Sequence, residues 1–281
     1  MHASVDGGSG VVRVAAIGDL HCGRTDQGLL RPLFAEVTAH ADVLLLCGDL
    51  VDRGLPDEAR VLARELAASV TTPTIAVLGN HDVEAEKETE VTAILQEVGV
   101  RVLDGDACEV HGLGIAGVKG FGGGFGVHAL GAWGERAIKA FVHEAINEAL
   151  KLETALSQLR ASQRIAMLHY APIAETLAGE AAEIFPFLGS SRLEEPLNRY
   201  GVAAVFHGHA HTGRAEGHTS TGIPVYNVAV PVLQRAFPDR PPVRIVDIHV
   251  TGGADAHNGA ASADAHAARA PAAPATIVTP R

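Results

Sequence analysis

Five polar clusters, each placed at the end of a short apolar run, carry the residue types that bind metal ions. They are Gly18-Asp19-Leu20-His21, Gly48-Asp49-Leu50-Val51-Asp52, Gly79-Asn80-His81-Asp82, His169-Tyr170 and His207-Gly208-His209-Ala210-His211. Glycine lies directly before several of these polar side chains and allows the sharp backbone turn that points a side chain at an ion. Oxygen and imidazole ligands without cysteine favour manganese, iron or zinc over calcium.

Counted as ligands, the clusters offer two carboxylates, one amide oxygen and four imidazoles. These belong to Asp19, His21, Asp49, Asn80, His169, His209 and His211. Seven ligands are too many for one ion, but they suit two ions about 3.5 to 4 Å apart that share a carboxylate. Such a pair stabilises the attacking and leaving oxygens during displacement at phosphorus, so the pattern predicts a phosphoesterase with two divalent ions.

The elements that must position these clusters are β-strands of an α/β fold. Buried strands are predicted from apolar, β-branched runs at 11–17, 43–47, 74–78, 165–168, 202–206, 225–230 and 243–250. Helical spacing at 29–40, 57–68 and 84–98 indicates early βαβ units with parallel strands, whereas the later strands suggest an antiparallel or mixed part. Parallel strands deliver their carboxyl ends to one edge of a sheet, where all five clusters would meet.

Charge and composition narrow the class of partner. The chain has 33 acidic and 22 basic residues, a net charge of -11, which argues against binding to nucleic acid polymers or anionic membranes. The three cysteines form no CxxC pair, no apolar run approaches the length of a membrane helix, and the polar start does not resemble a secretion signal. We therefore expect a cytoplasmic protein that acts on a small phosphate ester.

Taken in order, the five clusters resemble the calcineurin-like metallophosphoesterase superfamily, whose pattern is D-x-H, G-D, G-N-H-[DE], a lone H and G-H-x-H. The resemblance spans Asp19 to His211, roughly three quarters of the chain. It implies a four-layer α/β/β/α sandwich of two mixed sheets, with a dinuclear centre at the carboxyl ends of the strands. It also implies a water, bridging two ions, that attacks phosphorus in line.

Roles for individual residues follow from the same resemblance. One ion would be held by Asp19, His21 and His211, the other by Asn80, His169 and His209, with Asp49 between them. His81 would contact the scissile phosphate and protonate the leaving oxygen, and Asp82 would orient the His81 ring. His207 is expected to support the site rather than to bind a metal.

Arg53 has two competing interpretations. The extended block Gly48-Asp49-Leu50-Val51-Asp52-Arg53-Gly54 looks like that of the serine/threonine phosphoprotein phosphatases, in which the arginine grips phosphate. A surface ion pair with Asp52 or Asp57 is equally compatible with the sequence. Leu78 stands where that branch has an arginine, which disfavours phosphoprotein phosphatase activity.

Two segments between the third and fourth clusters leave alternatives open. Apolar residues along 135–160 alternate steps of three and four, which predicts one long helix that packs on its own domain, forms a substrate cap or mediates a homodimer. In the glycine-rich stretch before it, Lys119, Phe121 and Phe125 are candidate substrate contacts on a lid or a plain mobile loop. The nearby G-x-G-x-x-G match at 112–117 lacks a following helix, so a dinucleotide site is rejected.

The predicted organisation is one catalytic domain at 11–251, a flexible start at 1–10 and a disordered low-complexity tail at 252–281. The favoured function is hydrolysis of a phosphodiester such as a cyclic nucleotide, because G-N-H-D with G-H-x-H also resembles cyclic-nucleotide phosphodiesterases. Phosphomonoester or phosphoprotein hydrolysis is the enzymatic alternative. A non-catalytic binding module on the same fold is the alternative from another class.

Overall fold

The computed structural model describes residues 9–251, which form two β-sheets covered by helices. The first sheet contains β1 (Ser9–Ile17), β2 (Val43–Cys47), β3 (Thr74–Val77), β4 (Arg101–Val102) and β11 (Arg244–Thr251). The second contains β5 (Asp106–Val110), β6 (Leu113–Gly117), β7 (Gln163–Met167), β8 (Ala204–His207), β9 (Glu216–His218) and β10 (Pro224–Asn227). The α-helices are α1 (Arg31–His40), α2 (Pro56–Ser69), α3 (Glu88–Glu97), α4 (Arg136–Gln158), α5 (Phe185–Leu188), α6 (Glu194–Tyr200) and α7 (Val230–Ala236).

Both sheets are mixed. In the first sheet the order is β11-β1-β2-β3-β4, with β11 antiparallel to β1 and the remaining neighbours parallel. In the second sheet the order is β5-β6-β7-β8-β10-β9, and only its two outer pairs are antiparallel. The expected parallel βαβ units therefore exist, but the fourth predicted strand belongs to the second sheet rather than continuing the first.

Three apolar layers hold the sandwich together. One layer lies between the sheets, a second lies between the first sheet and helices α1 to α3, and a third joins the second sheet to α4 and α6. Alternate residues of β2 belong to different layers: Val43 and Leu45 face the other sheet, while Leu44 and Leu46 face the helices. Burial on both faces explains why this strand is apolar throughout. The four-layer α/β/β/α architecture is confirmed.

Helix α4 packs within its own chain. Its buried stripe, which includes Val142, Ala145, Leu152 and Leu156, lies against β5, β6 and α6. At 23 residues the helix is about 34 Å long, at roughly 1.5 Å per residue. The apolar periodicity along 135–160 is therefore used for packing on the second sheet, and a homodimer through this helix stays a prediction.

The β5–β6 hairpin was missed by the pattern of apolar residues. Its turn consists of His111 and Gly112, which have φ of 51° and 78°, a geometry typical of a two-residue hairpin turn. The G-x-G-x-x-G match thus covers a hairpin turn and a buried strand, in agreement with its rejection as a dinucleotide site. β4 and β9 were also missed, because strands of two and three residues carry too little alternation to detect.

At the beginning of the described chain the prediction of a flexible start is wrong for two residues. Ser9 and Gly10 belong to β1 and pair with Thr251 and Val250 of β11. The rest of that segment and the predicted tail at 252–281 lie outside the described residues. Within 9–251, none of the helices combines the length and hydrophobicity that crossing a bilayer requires.

Candidate metal centre

Loops at the carboxyl ends of β1, β2, β3, β7 and β8 bring the seven predicted ligands together. Four of these residues, Asp19, His21, Asp49 and His209, have φ between 44° and 69°. Residues other than glycine rarely adopt this left-handed conformation, which costs on the order of 1–3 kcal/mol each. The surrounding strands must therefore hold these four turns in place, as expected where side-chain direction is needed for function.

The first group of ligand atoms comes from Asp19, His21 and His211, which can offer three atoms within 4.8 Å of one another. His211 Nε2 lies 2.9 Å from Asp19 Oδ1. Burial raises the pKa of Asp19, but the hydrogen bond to His211 and the charges of His169 and His211 outweigh burial, so the net pKa falls below its usual value. Asp19 is thus held as a carboxylate, the form that binds a cation.

A second group consists of Asp49, His169 and His209, again with ligand atoms within 4.8 Å. His169 Nδ1 lies 3.1 Å from the Cys47 carbonyl oxygen, to which it donates, and this leaves Nε2 facing Asn80 Oδ1 at 2.9 Å. Burial lowers the pKa of His209 to about 3, with a further contribution from His169. Neutral imidazoles are the form that binds a metal, so the second group is prepared for one.

Asp49 lies between the groups. Its Oδ1 is 3.4 Å from His169 Nε2, and its Oδ2 is 3.8 Å from His21 Nε2. Asp49 is 1% exposed, and its Oδ1 also accepts a hydrogen bond from the His81 backbone at 2.9 Å. One carboxylate therefore faces ligands of both groups, the position expected for a shared ligand.

Three glycines leave room for the ligands. A Cβ atom would lie 2.4 Å from His169 Nδ1 if built at Gly48, 2.1 Å from Asp49 Oδ1 if built at Gly79, and 2.2 Å from Asp19 Oδ2 if built at Gly208. Real Cβ contacts are not this short. Glycine is thus required at these positions by close approach of ligand side chains, and not only by the turns that the sequence indicated.

The chemistry of this donor set fits bound cations. Two buried carboxylates, Asp19 and Asp49, face four imidazoles and an amide, and His21 Nε2 is buried without a hydrogen-bond partner among the described residues. An orphaned ring nitrogen beside a buried carboxylate is costly unless a metal or water satisfies it. Divalent ions would satisfy both the free ring nitrogen and the buried carboxylates, so the residues present fit the metals that the sequence predicts.

His81 lies at the edge of the first group. Its ring centroid is 4.5 Å from that of His21, and its Nδ1 lies 2.6 Å from the Asp52 carbonyl oxygen. Burial lowers the pKa of His81, but the Asp52 carbonyl and the charges of Asp49 and Glu84 reverse the effect and raise it overall. The backbone of Asp52 thus orients the imidazole and favours its protonated form.

Asp82 has different partners from those expected. Its carboxylate accepts hydrogen bonds from the backbone N–H groups of Leu50, Val51 and Gly79, at 3.2, 2.9 and 2.7 Å. Burial and the charge of Asp49 raise the pKa of Asp82 to about 7, against the effect of these donors. The expectation that Asp82 orients the His81 ring is therefore corrected: Asp82 ties the second cluster to the third, while the Asp52 carbonyl holds His81.

Arg53 forms the ion pair that was its alternative interpretation. Its Nε lies 3.5 Å from Asp52 Oδ2, and its side chain is 71% exposed. Its backbone N–H donates to buried Glu58 at 2.9 Å, which fixes the loop before α2. A phosphate-gripping role for Arg53 stays a prediction.

The glycine-rich stretch is packed rather than free. Gly123 donates to the Pro186 carbonyl oxygen at 2.6 Å and Gly124 to that of Gly189 at 2.9 Å. A Cβ on Gly122 would lie 2.5 Å from the Pro186 carbonyl oxygen. The glycines thus allow two backbones to touch, which differs from the mobile loop or lid that their number suggested.

The three candidate substrate contacts in this stretch already have protein partners. Phe121 lies 4.8 Å from the ring of Phe141, and Phe125 lies 6.4 Å from that of Phe185. Lys119 Nζ lies 5.1 Å from the Phe121 ring centroid and donates to the Gly120 carbonyl oxygen. Their roles as substrate contacts stay predictions, but neither ring is the open platform that we expected.

Supporting residues include some that the sequence analysis overlooked. His207, as expected, lies outside both ligand groups, with Nε2 2.8 Å from Thr176 Oγ1 and a pKa lowered to about 4 by burial.

Buried Asn227 donates to the Ala210 carbonyl oxygen at 2.8 Å and so holds the loop between His209 and His211. Asn227 lies as an amide inside the predicted apolar run 225–230, which was the available signal. Cys22, which directly follows His21, is buried and free.

Comparison with known proteins gives a consistent result. Residues 12–213 match the family described as calcineurin-like phosphoesterase. Among solved structures, a phosphopantetheinyl hydrolase from Mycobacterium tuberculosis aligns with a TM-score of 0.60 at 17% identity, over 83% of this chain and 95% of that one. A protein from Thermus thermophilus aligns with a TM-score of 0.47 at 16% identity, over 85% and 99% of the two chains. No curated protein matches the sequence.

The match covers 202 residues, from 12 to 213, and includes all seven ligands together with His81. Members of this family use divalent metals, and the two ligand groups supply candidate sites for them. The chain belongs to the calcineurin-like phosphoesterases and is a phosphoric ester hydrolase.

Proposed function

We propose that this chain hydrolyses small phosphodiesters at a centre of two divalent ions, manganese, iron or zinc. One observation carries the proposal: the buried Asp49 carboxylate, part of one ligand group, faces His169 of that group and His21 of the other, and both groups draw residues from both sheets. When bound, the ions would supply positive charge to the phosphoryl oxygens and lower the pKa of the attacking water. Asp19, His21 and His211 would hold one ion, and Asn80, His169 and His209 the other.

His81 supplies the second part of the reaction. Because the Asp52 carbonyl fixes its Nδ1 and its pKa is raised, the ring is available as a proton donor through Nε2. A proton given to the leaving oxygen makes the alcohol a better leaving group. The ring stands beside His21 and therefore next to the phosphate that the first ion would bind.

Two features support a diester over a monoester. A monoester dianion carries one more negative charge and gains more from nearby arginines. Here the guanidinium of Arg53 already pairs with Asp52, and Leu78 stands where the phosphoprotein phosphatases have an arginine. Within the diesters, a cyclic nucleotide remains the prediction from the motifs. The Mycobacterium tuberculosis neighbour is a phosphopantetheinyl hydrolase, so an ester of a phosphopantetheinyl group is a further candidate.

The test compares metal-free and manganese-loaded protein on bis(p-nitrophenyl) phosphate, p-nitrophenyl phosphate and 3′,5′-cyclic AMP. We expect two ions per chain and faster hydrolysis of the diester. Asp49→Ala removes the shared ligand and should lose at least one ion and nearly all activity. His40→Ala changes an exposed histidine at the end of α1, beside the amino end of β2 and so at the opposite edge of the sheet from the ligand groups, and serves as the matched control.

Equal rates for wild type and Asp49→Ala would contradict the proposed centre. Two bound ions without turnover of any ester would instead favour the non-catalytic binding module. A higher kcat/KM for the monoester would replace the diester proposal with a phosphomonoesterase.

A further inference from the structure

Five large apolar side chains are exposed in two neighbouring segments, 127–138 and 184–187. They are Val127 (95% exposed), Trp133 (76%), Ile138 (43%), Ile184 (40%) and Phe187 (61%), here called the apolar rim. The other four large apolar residues with such exposure in residues 9–251 lie apart: Val11, Leu29, Val98 and Leu150. Exposed apolar residues that stand singly need no explanation, whereas a grouped set marks a binding surface.

Direct contacts join the two segments into one surface. The Gly123 N–H donates to the Pro186 carbonyl oxygen, and the Leu130 N–H donates to the Gly123 carbonyl oxygen at 2.7 Å. At the start of α4, the Phe141 ring lies 6.1 Å from the Phe187 ring. The backbone that leads into the first segment thus packs against α5, and α4 meets α5 through Phe141 and Phe187.

The apolar rim adjoins the metal centre. His209 Nε2 lies 3.2 Å from the Phe187 carbonyl oxygen, to which it donates, and this leaves Nδ1 of His209 for an ion. The Tyr170 ring, which follows the ligand His169, is 4.4 Å from the His209 ring. A substrate whose phosphate lies on the ions can therefore extend over Phe187 without leaving the protein surface.

We propose that the apolar rim binds an aliphatic chain of the substrate, an alkyl or acyl group carried by one alcohol of the phosphate ester. This inference rests on the proposed function and narrows its substrate class to phosphodiesters with an aliphatic alcohol, a class that excludes the cyclic nucleotide predicted from the motifs. Three of the five residues, Val127, Ile138 and Ile184, are aliphatic, and burying such surface against a hydrocarbon chain is favourable because water is released. The net charge of -11 disfavours an anionic membrane as the occupant.

Trp133 provides a direct readout, since it is the only tryptophan in the chain. The probes are n-alkyl phosphonates from ethyl to octyl, used below their micelle concentrations with manganese-loaded protein. We expect a blue shift of tryptophan emission on binding. Half burial of each methylene predicts that Kd falls about twofold per added methylene.

Two variants of α4 form a matched pair. Ile138→Ser lies in the apolar rim and should flatten the dependence of Kd on chain length. Leu150→Ser removes a side chain of comparable exposure, 54%, three turns further along the same helix, and should leave that dependence unchanged. Ile184→Ser, from the other segment, should act like Ile138→Ser.

Several results would overturn the inference. These are a Kd independent of chain length, an equal effect of Leu150→Ser, and a blue shift with phosphatidylcholine vesicles but not with phosphonates. A shift that grows with protein concentration alone would assign the apolar rim to contact between copies of the chain. A kcat/KM for cyclic AMP above that for octyl p-nitrophenyl phosphate would also refute it.

Fluorescence requires no turnover, so the two proposals fail separately. A chain-length-dependent shift without hydrolysis supports the apolar rim and overturns the phosphodiesterase proposal. Hydrolysis of methyl p-nitrophenyl phosphate without any shift overturns the apolar rim alone.

Discussion

Alanine at Gly79 is expected to damage the metal centre while leaving the rest of the sandwich folded. The added Cβ would lie 2.1 Å from Asp49 Oδ1 and 2.3 Å from the Asp49 backbone nitrogen. Real Cβ atoms essentially never approach another atom within 3.0 Å, and ordinary contacts lie at 3.4–4 Å. Asp49 or its loop must therefore move by about 1 Å. A misplacement of about 1 Å in a catalytic site can cost about 10²-fold in rate.

Kinetics, metal content and unfolding measurements give the size of the effect of Gly79→Ala and show that it lies at the metal centre. We expect kcat/KM on bis(p-nitrophenyl) phosphate to fall at least about 10²-fold, with fewer than two ions bound per chain. Overpacking costs about 1–3 kcal/mol, so metal-free Gly79→Ala should still unfold cooperatively. In wild type, manganese at about 100 times its Kd adds about 2.7 kcal/mol per bound ion to the free energy of unfolding, and the variant should lose most of that gain.

Gly10→Ala is the matched control. At Gly10, in β1, the nearest atom to an added Cβ is 3.4 Å away, in ordinary contact. Its activity and metal content should equal those of wild type. Two tightly bound ions and wild-type rates in Gly79→Ala would refute the claim that Asp49 needs the space left by this glycine.

Two further substitutions test the residues around the ligands. His81→Ala should keep both ions but lower kcat by about 10²–10⁴-fold, because it removes the proposed proton donor. Metal analysis and steady-state kinetics measure the two effects. A loss of metal with kcat preserved would contradict the proposed role of His81. Asp82→Asn replaces one of the two carboxylate oxygens, which share three backbone N–H donors, with an N–H₂ group that cannot accept. At least one buried N–H then loses its acceptor, and the free energy of unfolding should fall by about 1–3 kcal/mol in urea titrations of metal-free protein. Asp57→Asn is the control, because Asp57 forms an exposed ion pair with Arg60, and its free energy of unfolding should change by less than about 1 kcal/mol. Equal losses of stability in the two variants would show that Asp82 does not hold the two loops together.

The seven predicted metal ligands were accessible to sequence analysis because they directly follow the ends of five strands. Asp19 and Asp49 come directly after an apolar run and a glycine, and both signals are local. The packing of α4 within its own chain was the favoured interpretation of its apolar spacing. The two-residue strand β4 carried no comparable signal, since it is stabilised by pairing with β3. The turn at His111 and Gly112 lacks the Asn-Gly or Asp-Gly pair that marks most two-residue hairpins.

What the sequence by itself determined is the α/β fold and the set of polar residues that lie together at the carboxyl ends of its strands. Only the tertiary structure decided which neighbour each supporting group contacts. Asp82 is adjacent to His81 in sequence, yet its carboxylate bonds to the loop at Leu50 and Val51, while the Asp52 carbonyl holds the His81 ring. Hydrogen bonds between loops depend on distances set by two packed sheets, and no local pattern of residues encodes those distances.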